Sequence, residues 1–463
     1  MRFHFLKTDK ILAAVAAALA LILNLAHAAD TSLAALAART SPDWLRTGTV
    51  YEIFPRDFSP AGNLNGVTAR LDKLHDLGVN ILWIMPIHPI GIKFRKGEYG
   101  SPYSISDYYA VNPDYGTLED FKRLVAGAHK RGMKVIMDLV ANHTAWDSVM
   151  MAHPEFYKQD ASGHVIPPVP EWTDVAGLNY QNAALREYMI TMLEYWIKEA
   201  DVDGFRCDVA YNVPTDFWEQ ARVALTKIKP DIMMLAEASK PELLTNAFDI
   251  DYSWPLLATM NDVLIRNAPA SQIRNCWEES RRQFPRGALH LRISDNHDEA
   301  RAIARYGING AIAASALMFT LDGVPLIYNG MEVGDATESG DPALFEKLTI
   351  FWQPKERPPL TDIYHDLIQL RRDYPAFTSG QLVWLPNSDP SKIVSFVRRD
   401  DKDEFVVVIN LSNRPVNGTL GIDRAPEFAA MPIPIHSDPP PDSVTHFRLD
   451  GFGWRIYHRA LSK

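Results

Sequence analysis

Short runs of β-branched and aromatic residues alternate with stretches of helical periodicity from Thr49 to Pro375, and no other feature of the sequence constrains the fold as much. This alternation is typical of βα units around a parallel sheet, because a pair of parallel strands needs a long crossover that is usually a helix. Eight runs can be counted, at residues 50–54, 80–85, 134–139, 204–207, 232–236, 248–252, 288–293 and 325–328. They predict an α/β fold of the closed (β/α)8 barrel type.

An open, doubly wound sheet is the alternative architecture for the same alternation. It would need a glycine-rich phosphate turn directly after the first strand. Residues 53–57, which occupy that position, contain no glycine. The closed barrel is therefore the favoured fold.

Two segments interrupt the alternation. Residues 142–180 contain four prolines and little periodicity, which predicts a short subdomain inserted after the third strand. After Pro375 the helical periodicity stops, and period-two patterns predict an antiparallel β sandwich. The expected organisation is a barrel at 41–141 and 181–375, an inserted subdomain at 142–180 and a C-terminal β domain at 381–463.

Residues 1–28 have the pattern of a secretory signal peptide. Arg2, Lys7 and Lys10 precede the apolar run 11–23, and a short Ala-His-Ala sequence ending at Ala28 follows it. The apolar run is shorter than the roughly 18 residues that a membrane-spanning helix needs. We expect cleavage after Ala28, export to the periplasm or the medium, and a mature chain without membrane attachment. An uncleaved anchor is the alternative.

The charge of the chain limits its partners. Forty-seven Lys and Arg residues against 57 Asp and Glu residues give a net charge of −10, and the sequence shows no dense basic cluster. This sign is wrong for a protein that binds a phosphate backbone. Nucleic acid is therefore disfavoured as a partner, whereas the sequence leaves the oligomeric state open.

Residues that can carry chemistry are concentrated at the ends of the predicted strands. The active site of a (β/α)8 barrel is built at the carboxyl ends of its strands. Four of these ends carry carboxylates or histidines, in the sequences Asp138-Leu-Val-Ala-Asn142-His143 (strand three), Arg206-Cys-Asp208 (strand four), Ala236-Glu237 (strand five) and Asp295-Asn-His297-Asp298 (strand seven).

These four segments, in this order and on these strands, resemble the four signature regions of the α-amylase family, glycoside hydrolase family 13. The likeness extends to residues 107–116 after strand two and 323–332 near strand eight. The resemblance implies a retaining glycosidase that cleaves α-glucosidic bonds, α-1,4 bonds above all, in starch-type glucans or maltooligosaccharides. Such a reaction uses a covalent glycosyl-enzyme intermediate, and the chemistry itself requires no cofactor.

The resemblance assigns roles to three carboxylates. Retaining cleavage needs a nucleophilic carboxylate and a carboxylic acid about 5 Å apart. Matching the family motif, Asp208 would be the nucleophile and Glu237 the acid and later the base, while Asp298 would be the third acid, which binds sugar hydroxyls. Arg206 points to the same side of its strand as Asp208 and is expected to keep it ionised. Apolar flanks and the nearby Asp208 are expected to raise the pKa of Glu237.

Three further residues are expected to bind sugar, together with Arg206, in the subsite where cleavage occurs. His143 and His297 match the histidines of the family that hydrogen-bond the sugar. Tyr103 is placed like the family's stacking tyrosine. Asp138 lies earlier on strand three, so we expect it to hold Arg206 in place without touching the sugar.

The resemblance also raises the question of a structural calcium ion between barrel and subdomain. Asn142 matches one family ligand of this ion, and an Asp of the subdomain is commonly another. Gly177 stands where that Asp is common, and Asp174 is the nearby carboxylate that could replace it. The sequence therefore leaves calcium binding open.

The segment after the nucleophile departs from the family pattern. Typical endo-acting amylases carry a Lys-His pair there, whereas this chain has Tyr211 and Asn212. The departure leaves an exo-acting α-glucosidase and an α-glucan transglycosylase open beside a hydrolase. A non-catalytic carbohydrate-binding protein on the same fold is the alternative from another class, and it is disfavoured because all three expected carboxylates are present.

Overall fold

The computed structural model describes residues 32–353, 360–433 and 443–461 of the 463-residue chain. The expected signal segment 1–28 lies outside the described residues, so its cleavage and the export of the chain stay predictions.

Eight parallel strands close into a barrel, which confirms the predicted fold. In chain order they are β1 (Val50–Ile53), β2 (Ile81–Ile84), β3 (Lys134–Val140), β6 (Gly204–Asp208), β7 (Met233–Ala236), β8 (Ile250–Tyr252), β9 (His290–Arg292) and β10 (Val324–Tyr328), with β4 (His143–Ala145) and β5 (Val175–Gly177) in the inserted segment. The last barrel strand, β10, pairs with the first, β1. Every predicted run overlaps its strand, and the bounds differ by no more than two residues.

Helices cover the outside of the barrel, and Leu118–His129 shows how the sequence specifies them. Thr117 and Asp120 form a capping box at its start, and the side chains of Phe121 and Leu124 are buried against the strands. Gly132, with φ +74°, lies in the turn that follows. The other α-helices of the described chain are Asp43–Arg46, Pro55–Phe58, Leu64–Thr68, Leu71–Leu77, Ala183–Ala200, Thr215–Ile228, Leu243–Asn246, Trp254–Arg266, Ser271–Gln283, Ala302–Thr320, Asp341–Phe345 and Thr361–Asp373.

One of these helices, Ala302–Thr320, is long and apolar enough to cross a membrane by length and composition. Most of it is buried within the protein, and residues such as Ala313 and Leu317 belong to the main hydrophobic core. Its apolar composition is therefore explained by packing in the helical layer of the barrel.

The segment between β3 and the helix Ala183–Ala200 is irregular except for one hairpin. In it, β4 pairs antiparallel with β5, so that His143 lies opposite Gly177. Two short 3-10 helices, Val149–Ala152 and Pro154–Phe156, complete the segment. The hairpin starts directly after β3 and thereby connects this segment to the carboxyl end of the barrel.

Antiparallel strands follow the barrel, as the period-two pattern predicts. One sheet has the order β11 (Gln381–Trp384), β12 (Ile393–Arg399), β13 (Asp403–Asn410), β17 (Trp454–Ala460) and β15 (Ala429–Ala430), and a second consists of β14 (Val416–Thr419) and β16 (His446–Leu449). Val406 and Val408 of the larger sheet share a hydrophobic core with Phe447 and Leu449 of the smaller one. The two sheets therefore pack face to face.

Candidate active site

Arg206 is the centre of a group of charged residues at the carboxyl end of the barrel. It lies on β6, it is fully buried, and the register pairs it with Asp138 of β3. Its Nη1 atom lies 3.0 Å from Asp138 Oδ1 and 3.0 Å from Asp208 Oδ1, and its Nη2 atom lies 2.9 Å from Glu237 Oε2. One guanidinium thus contacts three carboxylates on three neighbouring strands or strand ends.

The strand geometry brings Asp208 and Glu237 together. Asp208 is the last residue of β6, and Glu237 directly follows β7. The Glu237 N–H donates to the carbonyl of Cys207, which keeps the two strand ends in register. Because both carboxylates contact the same guanidinium, they lie side by side, as the two acids of a retaining glycosidase must.

Burial controls the protonation of this pair. It raises the pKa of Asp208 well above its usual range, and the charge of Glu237 raises it further, whereas Arg206 lowers it. Burial also raises the pKa of Glu237, again against the effect of Arg206. The sequence predicts that Arg206 keeps Asp208 ionised, but burial has the larger effect on the pKa of Asp208. Two buried carboxyls this close titrate as a pair that holds one proton, and the nucleophilic role of Asp208 requires the state in which Glu237 carries it.

His297 and Asp298 follow β9 and form the second half of the charged group. His297 Nε2 lies 3.1 Å from Asp298 Oδ1, and its Nδ1 lies 2.5 Å from Glu52 Oε1. Burial alone would lower the pKa of His297, but Asp298 and Glu52 raise it well above its usual value. Burial likewise opposes the charged form of Asp298, yet His297 lowers the pKa of that carboxyl to about 2. The imidazole thus lies between two carboxyl groups, and burial raises the pKa of one of them, Glu52, against the effect of His297.

Tyr103 packs on His297. Its hydroxyl lies 2.8 Å from His297 Nε2 and donates to Asp138 Oδ2 at 3.2 Å, and the two rings stack with centroids 5.4 Å apart. The tyrosine predicted to stack on sugar therefore has one face against His297, and only 7% of the residue is exposed. It lies among the other predicted site residues.

His143, on β4, is buried on the side of the inserted segment. Burial lowers the pKa of His143 to about 4, so its imidazole is neutral at neutral pH. Its ring makes an edge contact with Trp172, at 5.7 Å between centroids, and Asn142 Nδ2 lies 3.3 Å from its Nδ1. A neutral imidazole can both donate and accept a hydrogen bond, which suits a sugar hydroxyl.

The two candidate calcium ligands are Asn142 and Asp174, whereas calcium takes six to eight oxygen ligands. The carboxylate of Asp174 already pairs with the ammonium of Lys96, 2.8 Å away. Among the described residues there is also no group of three or more His, Cys, Asp and Glu side chains suited to a metal.

Two residues of the site were missed by the sequence analysis. Glu52, the partner of His297, is a charged residue within the otherwise apolar strand β1, and that contrast is a signal that could have found it. Val209 has φ +39°, a conformation that β-branched residues rarely adopt, and its N–H donates to Glu237 Oε2 at 2.8 Å. No sequence pattern predicts that backbone conformation.

A closed (β/α)8 barrel with three carboxylates around one buried arginine at its carboxyl end is an architecture suited to cleavage of glycosidic bonds. Comparison with known proteins agrees with this class. The family model of the alpha-amylase catalytic domain matches residues 37–162 and 171–359. The chain belongs to the α-amylase family.

Individual members of the family are similar over most of this chain. "Alpha-amylase MalA" of Haloarcula japonica is 30% identical over 85% of this chain, which spans 61% of the length of that relative. The crystal structure of the maltogenic α-amylase AmyB from Thermotoga neapolitana is 32% identical, covers 90% of this chain and all of its own, and superimposes with a TM-score of 0.82. An α-amylase structure from Lactobacillus plantarum is also 32% identical, covers 89% of this chain and 99% of its own, and has a TM-score of 0.78.

Replacing Glu52 by Gln should lower the pKa of His297. The Glu52 carboxyl raises the pKa of that imidazole, so in Glu52→Gln the ring should lose its proton at a pH lower by about one unit or more. NMR titration of the His297 ring measures this directly, apart from the alkaline limb that loss of the Glu237 proton gives to kcat/KM. Glu332→Gln is the matched control, because Glu332 is also buried but accepts from Tyr51. An unchanged titration of His297 in Glu52→Gln would contradict this role.

Removal of calcium should leave the stability of the protein unchanged, because the ammonium of Lys96 already neutralises Asp174. Dialysis against EDTA is expected to change Tm by less than about 1 °C, whereas Lys96→Met should lower the free energy of unfolding by about 1 kcal/mol. Lys93→Met, at an exposed lysine of the same loop, is the control. A drop in Tm with EDTA that added calcium reverses would count against this reading.

Proposed function

We propose that this protein is a retaining glycosidase that hydrolyses α-1,4-glucosidic bonds of maltooligosaccharides and starch-type glucans. The observation that carries the proposal is the buried guanidinium of Arg206, which contacts both Asp208 and Glu237 at the carboxyl end of the barrel. It holds the two carboxyls side by side, and burial leaves the pair with a proton to donate. Membership of the α-amylase family supports α-glucans as the substrate class.

The first step forms a covalent bond and breaks the glycosidic bond. The carboxylate of Asp208 attacks C1 of the sugar, and Glu237 transfers its proton to the leaving glycosidic oxygen. Glu237 Oε2 is occupied by the N–H of Val209 and by Arg206, so Oε1 is the oxygen suited to carry that proton. The products of this step are a glycosyl ester of Asp208, a shortened glucan and an ionised Glu237.

The second step returns the enzyme to its starting state. Glu237 takes a proton from water while the water oxygen attacks C1, and the bond to Asp208 breaks. Two inversions at C1 give a product of the original α configuration. Asp298 stays ionised beside the imidazolium of His297 and is suited to accept hydrogen bonds from sugar hydroxyls. His143 and Tyr103 are assigned to the same subsite.

The expected place of action follows from the N-terminal segment. A basic start, an apolar core and small residues up to Ala28 support export of the enzyme. Its substrate would then be a periplasmic or extracellular glucan.

Incubation of the mature protein with maltoheptaose tests the proposal. We expect shorter α-configured sugars, followed over time by chromatography and by NMR of the anomeric proton, and Asp208→Asn should reduce kcat by about 10⁴-fold or more. The size distribution of early products distinguishes endo from exo cleavage. Products longer than seven units would indicate a transglycosylase, and β-configured products or an unaffected Asp208→Asn variant would contradict the proposed mechanism.

A further inference from the structure

A cavity of about 710 Å³ lies between the start of the helix Leu71–Leu77 and the segment that follows β10. Three of the residues that line it are cationic, namely Arg70, Lys73 and Lys347. No aspartate or glutamate of the described chain lines it. The cavity also shares no residue with the charged groups around Arg206 and His297. It is therefore a positively charged space that the proposed hydrolysis does not use.

The wall that follows β10 is fixed to the region after β1. The indole Nε1 of Trp352 donates to the carbonyl of Phe58 at 2.7 Å, and the two rings pack edge to face with centroids 5.0 Å apart. The ammonium of Lys347 donates to the carbonyl of Pro60 at 3.0 Å. A ligand would therefore meet a wall that is already in place, as is usual for small-molecule sites.

Arg70 is held in this cavity by an aromatic ring and not by an acceptor. It is half-buried directly before the helix Leu71–Leu77, and its guanidinium carbon lies 3.6 Å from the centre of the Trp352 ring. Among the residues that the structure describes, Arg70 forms no hydrogen bond and no ion pair. Stacking fixes the plane of a guanidinium but leaves the N–H groups at its edge unused. These donors are available to a ligand.

The acidic group whose charge reaches Arg70 is already bonded elsewhere. Glu332 accepts the hydroxyl of Tyr51 with Oε1 at 2.6 Å and the N–H of Gly330 with Oε2 at 3.2 Å. Burial lowers the pKa of Arg70, and the charges of Tyr51 and Glu332 oppose that effect only in part. The positive charge of Arg70 is thus incompletely compensated within the described part of the chain, which favours an anion as its partner.

The charges in the cavity select the class of anion. Lys73 is exposed and, like Arg70, has no hydrogen bond or ion pair with a described residue, while the ammonium of Lys347 contacts a neutral carbonyl. A neutral sugar would leave these charges uncompensated, and one carboxylate would match only one of them. A phosphate group carries a charge of about −1.5 to −2 and three acceptor oxygens, and a guanidinium binds it through two parallel hydrogen bonds.

We infer that this cavity is a binding site for a phosphate group, with Arg70 as its two-bond partner and Lys73 and Lys347 as further cations. Phe351, of which 65% is exposed, adds an apolar surface suited to the organic part of a phosphate ester. Soluble phosphate and the headgroup of an anionic lipid present the same charged oxygens, so the experiment has to distinguish these two sources.

The test is a calorimetric titration of the full chain with inorganic phosphate, with the ionic strength kept constant by sodium chloride. The expected result is saturable binding of one phosphate per chain, which Arg70→Gln and Lys73→Gln each weaken about fivefold or more. Because Lys73 is exposed, its variant tests the site without disturbing the stack on Trp352. Lys130→Gln, at an exposed lysine directly after the helix Leu118–His129, is the matched control and should change the affinity less than about twofold.

Flotation with lipid vesicles identifies the source of the phosphate. Binding to phosphatidylcholine vesicles that contain phosphatidic acid, absent with phosphatidylcholine alone and lost in Arg70→Gln, would assign the site to a lipid headgroup. Binding of inorganic phosphate without binding of these vesicles would assign it to soluble phosphate. The inference is overturned if neither phosphate nor the vesicles bind, or if Arg70→Gln and Lys73→Gln bind them as well as the unmutated protein does.

Discussion

The buried guanidinium of Arg206 is the interaction on which the candidate active site depends. Three carboxylates within 3.0 Å of one side chain would repel one another if the positive charge were absent. Burying such charges is costly, and the cost is offset only when each charge has close, well-placed partners. The barrel provides these partners, because its parallel strands bring Asp138, Asp208 and Glu237 to one end. The barrel topology therefore brings the three carboxylates together, and the positive charge of Arg206 offsets their repulsion.

A second group of charged residues, on strands at the opposite side of the barrel, contacts the group around Arg206. Glu52 on β1 contacts His297, and His297 contacts Asp298 and the hydroxyl of Tyr103, which donates to Asp138. The two groups thus join through Tyr103 and Asp138 into one network across the barrel mouth. Such a network keeps its members in fixed orientations before substrate arrives, and this preorganisation is what electrostatic catalysis requires.

The sequence predicts the barrel well because strands and helices are specified by local periodicity, and each predicted run overlaps its strand. It also predicts which residues gather at the site, since the topology alone places strand ends together. It does not predict contacts between distant parts of the chain that no motif marks. Glu52 and His297 are 245 residues apart, and the pairing of Lys96 with Asp174 depends on how two loops meet. The backbone of Val209 adopts an uncommon conformation that no local motif marks.

The most direct measurement of the central claim is covalent trapping of the glycosyl-enzyme intermediate. A 5-fluoro-α-glycosyl fluoride slows both chemical steps, while its good leaving group favours formation of the intermediate over hydrolysis. Mass spectrometry of the digested protein should then find one sugar on the peptide that contains Asp208, and no label in Asp208→Asn. A label on Glu237, or no label in a protein that turns over maltoheptaose, would contradict the account.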